Sequence, residues 1–290
     1  MTPHAVSSDD INSFSGTIIN KKGHRLFCKY WEPKENPKAL IFIAHGYAEH
    51  CLPYDPLART LALNNFYVIS HDHVGHGQSQ GRRVLIHSFH EFVDDVFKHL
   101  DMIRKKHPNL DCFICGHSMG GAISILSASR KPEYFKGVVL IGPCIATNPD
   151  LATPLKVKLA KFMRWLAPKF PVGGIDMNQV SSDPKVVKKM KQDPLRFHGF
   201  CTAGLGASLL DSCEEIQGSI PTISFPFLIC QGEEDKLCIP EGALMMYEKS
   251  SSKDKTLKMY PKAYHNLLYE PNGIAQQCTS DILEWLLARV

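Results

Sequence analysis

The sequence lacks any hydrophobic run long enough to cross a bilayer, and it has no large excess of charge of one sign. Its longest apolar stretches, such as Ala39 to Ala44, have the length of a β-strand, whereas a membrane-spanning helix needs about 20 apolar residues. The 33 basic residues stand against 29 acidic ones, a formal net charge of +4. Nucleic-acid-binding proteins usually carry a denser basic surface. We therefore expect neither a transmembrane protein nor a nucleic-acid partner.

The features of a secreted protein are also missing. Met1 to Asn12 is polar, without the basic start and apolar stretch of a signal peptide, and no Asn-x-Ser/Thr glycosylation site occurs. The chain has ten cysteines, but Cys112, Cys115 and Cys230 lie in or beside apolar segments. A chain of this size does not need a disulfide framework. We therefore predict a cytoplasmic protein with reduced thiols, in which the Cys112-x-x-Cys115 pair serves core packing.

The hydrophobic pattern alternates between strand and helix along most of the 290 residues. Phe14 to Trp31 alternates around a Lys22-Gly23 turn, which predicts an antiparallel hairpin. Six further strands are predicted at Ala39 to Ala44, Phe66 to Ser70, Asp111 to Cys115, Gly137 to Ile141, Pro226 to Cys230 and Thr256 to Tyr260. Helical spacing occurs at Leu57 to Leu63, Phe89 to Lys105, Met119 to Ser129, Gly242 to Lys249 and Ile274 to Leu287. This alternation predicts an α/β fold with a mostly parallel central sheet flanked by helices.

The alternation stops between residues 148 and 219, where the sequence predicts helices and turns but no core strand. We therefore assign residues 1–147 and 220–290 to the core and residues 148–219 to an inserted helical cap. The segment from Leu155 to Leu166 predicts a basic amphipathic helix. Its apolar face comprises Leu155, Leu159, Phe162, Met163 and Leu166, whereas Lys158, Lys161 and Arg164 point elsewhere. This helix either packs on its own domain or contacts a membrane surface, where Lys and Arg would meet anionic lipid.

The segment from Cys112 to Gly121 carries the most specific motif of the chain. It contains Gly-x-Ser-x-Gly between a predicted buried strand and a predicted helix, which is the context that a nucleophile elbow requires. Gly116 and Gly120 are needed because the tight turn brings the backbone segments close together and strains Ser118. We predict that Ser118 is the nucleophile of a serine hydrolase, at a helix N-terminus that favours a developing oxyanion.

A serine nucleophile needs a base and an orienting carboxylate, which follow it in the order Asp, then His, in this arrangement. Asp235 comes just after the predicted strand that ends at Gly232, and we assign it as the orienting acid. Glu233 and Glu234 are neighbouring alternatives. His265 lies in the loop after the last predicted strand and before the terminal helix. We assign it as the base.

A His-Gly loop at His45 to His50 follows the first buried strand. Its position predicts an oxyanion hole built from the backbone N–H groups of Tyr47 and Met119; an ordinary strand-to-helix turn is the alternative. His117 is too close in sequence to Ser118 to serve as its base, and we expect it either to line the pocket or to pack against the elbow. The Gly-rich stretch Asp72 to Gly81 has neither dinucleotide nor P-loop spacing and predicts a structural loop. No motif predicts a metal or an organic cofactor.

Together these motifs resemble the monoacylglycerol lipases of the serine α/β-hydrolase superfamily over essentially the whole chain. The shared segments are His45 to His50, Asp72 to Ser79, Gly116 to Gly121, Asp193-Pro-Leu195, Gln231 to Cys238 and Ala263-Tyr-His265. The resemblance implies an α/β-hydrolase fold with a helical cap, a Ser118, Asp235 and His265 triad, and cleavage of long-chain monoacylglycerols to fatty acid and glycerol. It also implies that Glu49 and His117 line the glycerol pocket. The cap would rest on a membrane, which makes the protein cytoplasmic and peripherally membrane-associated.

The alcohol pocket departs from the family pattern. Its usual arginine, tyrosine and second histidine correspond here to Pro53, Met190 and Leu268. Fewer polar groups are therefore expected to hold glycerol, and a lysophospholipase or a broad-specificity carboxylesterase is an alternative function. A noncatalytic hydrolase-fold binding protein is an alternative of another class. Cys201 and Cys238 are expected near the site, either as modifiable thiols or as buried structural residues.

Overall fold

One eight-stranded sheet organises the computed structural model, which describes residues 11–149 and 152–290. Most of the N-terminal segment in which we predict no targeting signal therefore lies outside the described residues. The strands are β1 Ile11–Ile19, β2 Arg25–Pro33, β3 Ala39–Ala44, β4 Phe66–His71, β5 Asp111–His117, β6 Gly137–Ile141, β7 Pro171–Gly173, β8 Cys201–Thr202, β9 Phe227–Gly232 and β10 Lys255–Tyr260. The predicted hairpin is confirmed, although it begins three residues earlier, and all six predicted core strands are confirmed with ends shifted by at most two residues.

The sheet order is β1-β2-β4-β3-β5-β6-β9-β10. Strand β1 pairs antiparallel with β2, and β2 pairs antiparallel with β4, while every other neighbouring pair is parallel. Strands β3, β4, β6 and β9 are buried along their length because helices cover both faces, whereas the edge strand β10 is only partly buried. Since these strands run in one direction, the loops that follow β3, β5, β6 and β9 meet at the same edge of the sheet.

Helices pack on both faces of the sheet. They are α1 Asp55–Leu63, α2 His90–Arg104, α3 Met119–Arg130, α4 Pro154–Leu166, α5 Pro184–Gln192, α6 Ala203–Ser219, α7 Pro240–Lys249 and α8 Ile274–Leu287. One core cluster joins α2, α3, α6 and α7 to one face, and a second joins α1 and α8 to the other. The predicted α/β fold is confirmed. Within the described residues, no helix is both long enough and apolar enough to span a bilayer.

The cap contains α4, α5, most of α6 and a small sheet in which β7 pairs only with β8. Helix α6 belongs to both units, because Leu205, Cys213 and Ile216 lie in the same hydrophobic cluster as residues of the main sheet. Residues 150 and 151, close to the predicted start of the cap, lie outside the described residues. The cap is thus anchored to the core through α6.

Helix α4 turns its apolar stripe outward. Trp165 is 87% exposed and Leu155 78% exposed, whereas the buried Ala160 lies on the opposite side, towards α6. Two of the four cations of α4 also face α6, whereas Lys156 and Lys158 are exposed. Lys161 contacts Glu214 at 2.8 Å and Asp211 at 3.0 Å, and Arg164 pairs with Asp211. The interpretation in which the apolar stripe packs on its own domain is therefore wrong for this helix.

Candidate active site

Ser118 stands at the reversal between β5 and α3 with φ 56° and ψ −120°. This is the strained backbone that the Gly-x-Ser-x-Gly motif predicts. A Cβ at Gly116 would lie 2.2 Å from the carbonyl oxygen of Gly120, and one at Gly120 would lie 2.0 Å from that of Ala44. Both contacts are too close for any side chain, so the two glycines permit the turn that exposes Ser118 to the cavity.

His265 and Asp235 form a buried pair behind the serine. The two atoms joined are His265 Nδ1 and Asp235 Oδ2, 2.7 Å apart. The other oxygen, Asp235 Oδ1, accepts the backbone N–H groups of Leu237 at 2.9 Å and Cys238 at 3.0 Å. Burial lowers the pKa of His265, but the charge and hydrogen bond of Asp235 outweigh it, so the pKa is raised. The carboxylate thus orients the ring and stabilises its protonated form.

Ser118 and His265 line the same cavity. Among the described residues, the Ser118 hydroxyl has one hydrogen-bond contact, the thiol of Cys238 at 4.0 Å. Bonds between nucleophile and base are often completed only in the substrate complex. The structure therefore places Ser118, Asp235 and His265 at one site, with the serine side chain in a resting orientation. Glu233 and Glu234 are exposed and lie outside the cavity lining.

The two predicted oxyanion donors flank Ser118. Tyr47 lines the cavity in the loop after β3, and Met119 is the first residue of α3. Neither backbone N–H donates to a protein acceptor within residues 11–149 and 152–290. Unpaired N–H groups beside a nucleophile are suited to an oxyanion.

The Gly-rich stretch Asp72 to Gly81 is hydrogen-bonded to the loop after β3 that carries Tyr47. Asp72 Oδ1 accepts the backbone N–H of Cys51 at 2.8 Å, and its Oδ2 accepts that of Gln78 at 2.7 Å. His45 Nε2 accepts the backbone N–H of His73 at 2.9 Å. The predicted structural role of this stretch is confirmed, because its side chains and backbone fix both ends of the loop that carries Tyr47.

Glu49 is the centre of a buried polar cluster on the cavity wall. Its Oε1 accepts the Gly46 N–H at 2.7 Å and the Tyr54 hydroxyl at 2.5 Å, and lies 3.2 Å from His117 Nδ1. Its Oε2 accepts from Arg196 Nη2 at 2.7 Å. Burial alone would raise the pKa of Glu49, but the Arg196 charge and His117 hold it well below the usual value. Glu49 is therefore an anion with all its partners in place.

His117 lines the cavity beside this cluster, as predicted. Its pKa is lowered by burial, so the ring is neutral. The Tyr54 hydroxyl donates to Glu49, which leaves its oxygen to accept from His117 Nδ1 at 2.8 Å. That network assigns the proton to Nδ1 and a free lone pair to Nε2. Nε2 is buried and has no partner in the described part of the chain.

The cavity contains an arginine that the sequence did not predict. Pro53, Met190 and Leu268 are apolar, and Met190 and Leu268 pack in hydrophobic clusters. Arg196 lines the cavity from another position, and Tyr54 supports its lining by bonding to Glu49 and His117. Sequence reasoning missed both. The available signal for Arg196 was its position directly after the Asp193-Pro-Leu195 segment; Tyr54 directly follows Pro53.

The two cysteines expected near the site both have raised thiol pKa values. Cys238 is buried, and its pKa is raised well above the usual value by a hydrogen bond with Cys144 and by burial. Burial raises the pKa of Cys201 to about 11. A thiol attacks as the thiolate, so these values favour the structural interpretation. In the described ranges, no group of three His, Cys, Asp or Glu side chains is arranged to hold a metal ion.

The fold and the arrangement of Ser118, His265 and Asp235 define a serine hydrolase of the α/β-hydrolase class. Residues 35–272 match the sequence model of the family described as serine aminopeptidase, S33. The chain is 42% identical over 293 residues to the monoglyceride lipase of Mus musculus, covering 100% of this chain and 94% of the relative. It is 41% identical over 292 residues to that of Homo sapiens, covering 99% and 94%. The chain therefore belongs to the monoglyceride lipase family, and the predicted resemblance is confirmed.

Solved structures agree with this assignment. A monoacylglycerol lipase from Paleococcus ferrophilus is 29% identical with a TM-score of 0.82, covering 91% of this chain and 99% of that one. A soluble variant of the Saccharomyces cerevisiae monoglyceride lipase, in complex with a substrate analog, superposes with a TM-score of 0.88 at 20% identity, covering 100% and 99%. At that lower identity the likeness concerns the fold alone.

Proposed function

We propose that the chain hydrolyses long-chain monoacylglycerols to fatty acid and glycerol. Ser118 attacks the ester carbonyl while His265, held by Asp235, takes its proton and passes it to the departing glycerol. Water then enters, loses a proton to His265 and releases the fatty acid. The N–H groups of Tyr47 and Met119 stabilise the oxyanion in both steps.

The observation that carries this proposal is that the cavity of Ser118 is lined both by apolar side chains and by the polar cluster around Glu49. Apolar lining comes from Ile175, Met177, Val180, Phe197 and Leu237, and polar lining from Glu49, His117, Arg196 and His198. Ser118 lines the same cavity. An ester that joins a fatty acyl chain to a hydroxyl-bearing alcohol needs both kinds of lining. The free Nε2 of His117 is an acceptor suited to an alcohol hydroxyl.

The charges in the polar cluster favour glycerol over a phospholipid headgroup. The carboxylate of Glu49 is already paired with the guanidinium of Arg196. A choline or phosphate group would therefore find no unpaired counter-charge in this cluster, and burying such a charge is costly. Neutral hydroxyl groups incur no such cost and can exchange hydrogen bonds with the same side chains.

Fatty-acid release from monooleoylglycerol and from lyso-oleoylphosphatidylcholine, at equal concentration, tests the substrate. We expect kcat/KM to be at least about tenfold higher for monooleoylglycerol, because the headgroup of the lysolipid leaves buried charges unpaired. The Ser118→Ala variant serves as the blank for both esters. Equal rates, or faster release from the lysolipid, would assign the alcohol pocket to the alternative functions.

We also propose that the cap rests on a lipid surface. Its exposed apolar side chains are Leu155, Leu159, Phe162, Trp165, Leu166, Phe170, Ile175 and Phe200. Large apolar patches on a soluble surface commonly mark interaction sites, and Ile175 also lines the cavity that a lipid substrate has to enter. The ten free thiols support a cytoplasmic location for this contact.

Changing Leu155, Phe162 and Trp165 together to serine is expected to lower binding to phosphatidylcholine vesicles by at least about tenfold, since burial of each apolar side chain contributes on the order of 1 kcal/mol or more. Co-sedimentation with vesicles measures the bound fraction. The control changes Ile19 and Met102 to serine, two exposed apolar residues outside the cap. The proposal is wrong if both variants bind as the wild type does.

A further inference from the structure

An ion pair joins the cap to the core at the wall of the cavity. Arg196 belongs to the cap segment after α5, and Glu49 belongs to the core loop after β3. Arg196 Nη2 lies 2.7 Å from Glu49 Oε2, and the two side chains are only 7% and 3% exposed. The pair is therefore enclosed between the two units, with both residues lining the cavity.

Neighbouring contacts fix where Arg196 stands. His50 Nε2 lies 2.9 Å from Asp193 Oδ2, and the Phe197 N–H donates to the Ala48 carbonyl at 2.9 Å. These bonds seat residues 193–197 of the cap on the loop that carries Tyr47. A buried ion pair adds little net stability, because desolvation offsets the attraction. The ion pair therefore contributes little to holding the cap on the core. Its position on the cavity wall points instead to a role in binding substrate.

Arg196 has N–H donors that are not used in the hydrogen bond to Glu49. A guanidinium group carries five N–H donors, and in the part of the chain that the structure describes its one hydrogen-bond acceptor is Glu49. The remaining donors belong to a side chain that lines the cavity, as does His117, whose Nε2 is unpaired within the described residues. Arg196 and His117 both contact Glu49. A donor and an acceptor joined to one carboxylate are complementary to the hydroxyl groups of an alcohol.

We propose that Arg196 is a specificity-determining residue that binds a hydroxyl of the leaving alcohol. Because Arg196 is a cap residue, the polar lining of the cavity is complete only when residues 193–197 lie on the loop after β3. Selection of the alcohol thereby depends on the position of the cap. This inference rests on the proposed function and identifies Arg196 as the residue that makes the cavity selective for the alcohol.

A purely structural role for Arg196 makes a different prediction. If the arginine only kept Glu49 ionised and the Gly46 N–H in place, its loss would disturb the oxyanion loop and slow every ester alike. If it binds the alcohol, its loss slows an ester of a polyol more than an ester whose alcohol has no further hydroxyl. The ratio of two substrates with the same acyl chain separates these roles.

The experiment compares kcat/KM for monooleoylglycerol with that for methyl oleate. In Arg196→Gln we expect the ratio of the two values to fall about 10- to 100-fold, the loss of a charged hydrogen bond to substrate, mainly through a higher KM for monooleoylglycerol. Arg196→Lys keeps the charge but loses the fork of donors, and its ratio is expected to lie between those of Arg196→Gln and the wild type. Lys191→Gln, an exposed cap cation that contacts Asn178, is expected to leave the ratio unchanged.

A second variant covers the case in which Arg196→Gln fails to fold because Glu49 is left buried without its cation. Glu49→Gln/Arg196→Gln removes both charges, and its ratio is expected to be low as well. An unchanged ratio in the folded variants, whether both rates fall equally or neither falls, overturns the proposal. Failure of the proposed function is a separate result, in which the wild type itself shows no preference for monooleoylglycerol.

Discussion

Replacing Asp235 with asparagine is expected to lower kcat for ester hydrolysis by about 10⁴-fold while the fold stays intact. Asp235 Oδ1 is held by the N–H groups of Leu237 and Cys238. The amide oxygen of asparagine would keep those two bonds, which turns the NH₂ group towards His265. A donor at that place forces the proton of His265 onto Nε2, where it can no longer accept the proton of Ser118.

Steady-state kinetics with monooleoylglycerol, together with circular dichroism to verify folding, measure this effect. Glu234→Gln is the matched control, because Glu234 is an exposed carboxylate one residue away. Its kcat is expected to match the wild type. The assignment of Asp235 would be contradicted by an Asp235→Asn enzyme that keeps more than about 1% of the wild-type kcat. Removal of a triad acid leaves far less, about 0.01%.

Acidification is expected to destabilise the folded protein steeply below about pH 6.5, because the core holds a cluster of neutral histidines. The members are His45, His71, His73, His76 and His99. Their rings contact one another, as in His45 and His73 with centroids 4.1 Å apart and His71 stacked on His99 at 5.4 Å. Burial lowers the pKa of every member, to about 4 for His76 and about 3 for His99.

The direction of the effect follows from proton uptake. Above the unfolded pKa of about 6.5 these rings are neutral in both states; below it the unfolded chain binds protons that the folded core excludes. At pH 5 the free energy of unfolding falls by about 2 kcal/mol each for His76 and His99, with the other three acting in the same direction. Asp95, whose pKa burial raises to about 7, acts in the opposite direction but is one group against five. Total stabilities of domains are about 5–15 kcal/mol, so the loss is large.

Urea unfolding at pH 7 and pH 5 measures this dependence. His99→Gln removes one excluded proton site, so its free energy of unfolding should fall about 2 kcal/mol less than that of the wild type over this interval. The comparison cancels the titrating groups that do not contact His99; His71, which does, changes with it. His87→Gln, at an exposed position, should follow the wild type. Parallel pH profiles for all three proteins would rule out His99 as a source of acid lability.

The features that sequence reasoning predicted well are those that local geometry determines. Gly116 and Gly120 identify the elbow because a Cβ at either position would collide with backbone. Asp235 and His265 were found because each follows a predicted strand, and the carboxyl ends of parallel strands meet at one edge. In these cases a short segment and its flanking elements contain the required information.

The features that sequence reasoning missed depend on contacts between distant segments. Arg196 and Glu49 are 147 residues apart, and nothing in either segment identifies the other. The outward orientation of α4 has the same origin. Periodicity shows that an apolar stripe exists but not which way it faces. The other side of α4 contacts α6, where Ala160 is buried and Lys161 and Arg164 pair with Asp211 and Glu214.

The cap is inserted between two strands that are neighbours in the sheet, since Val138 of β6 pairs with Phe227 of β9. An insertion at such a point leaves the order and register of the sheet unchanged, so a different cap segment before α6 would leave the catalytic residues in place. Arg196 is part of the cap segment, whereas Ser118 is part of the core, between β5 and α3. Preference for the alcohol would then be inherited with the cap, and reactivity towards esters with the core.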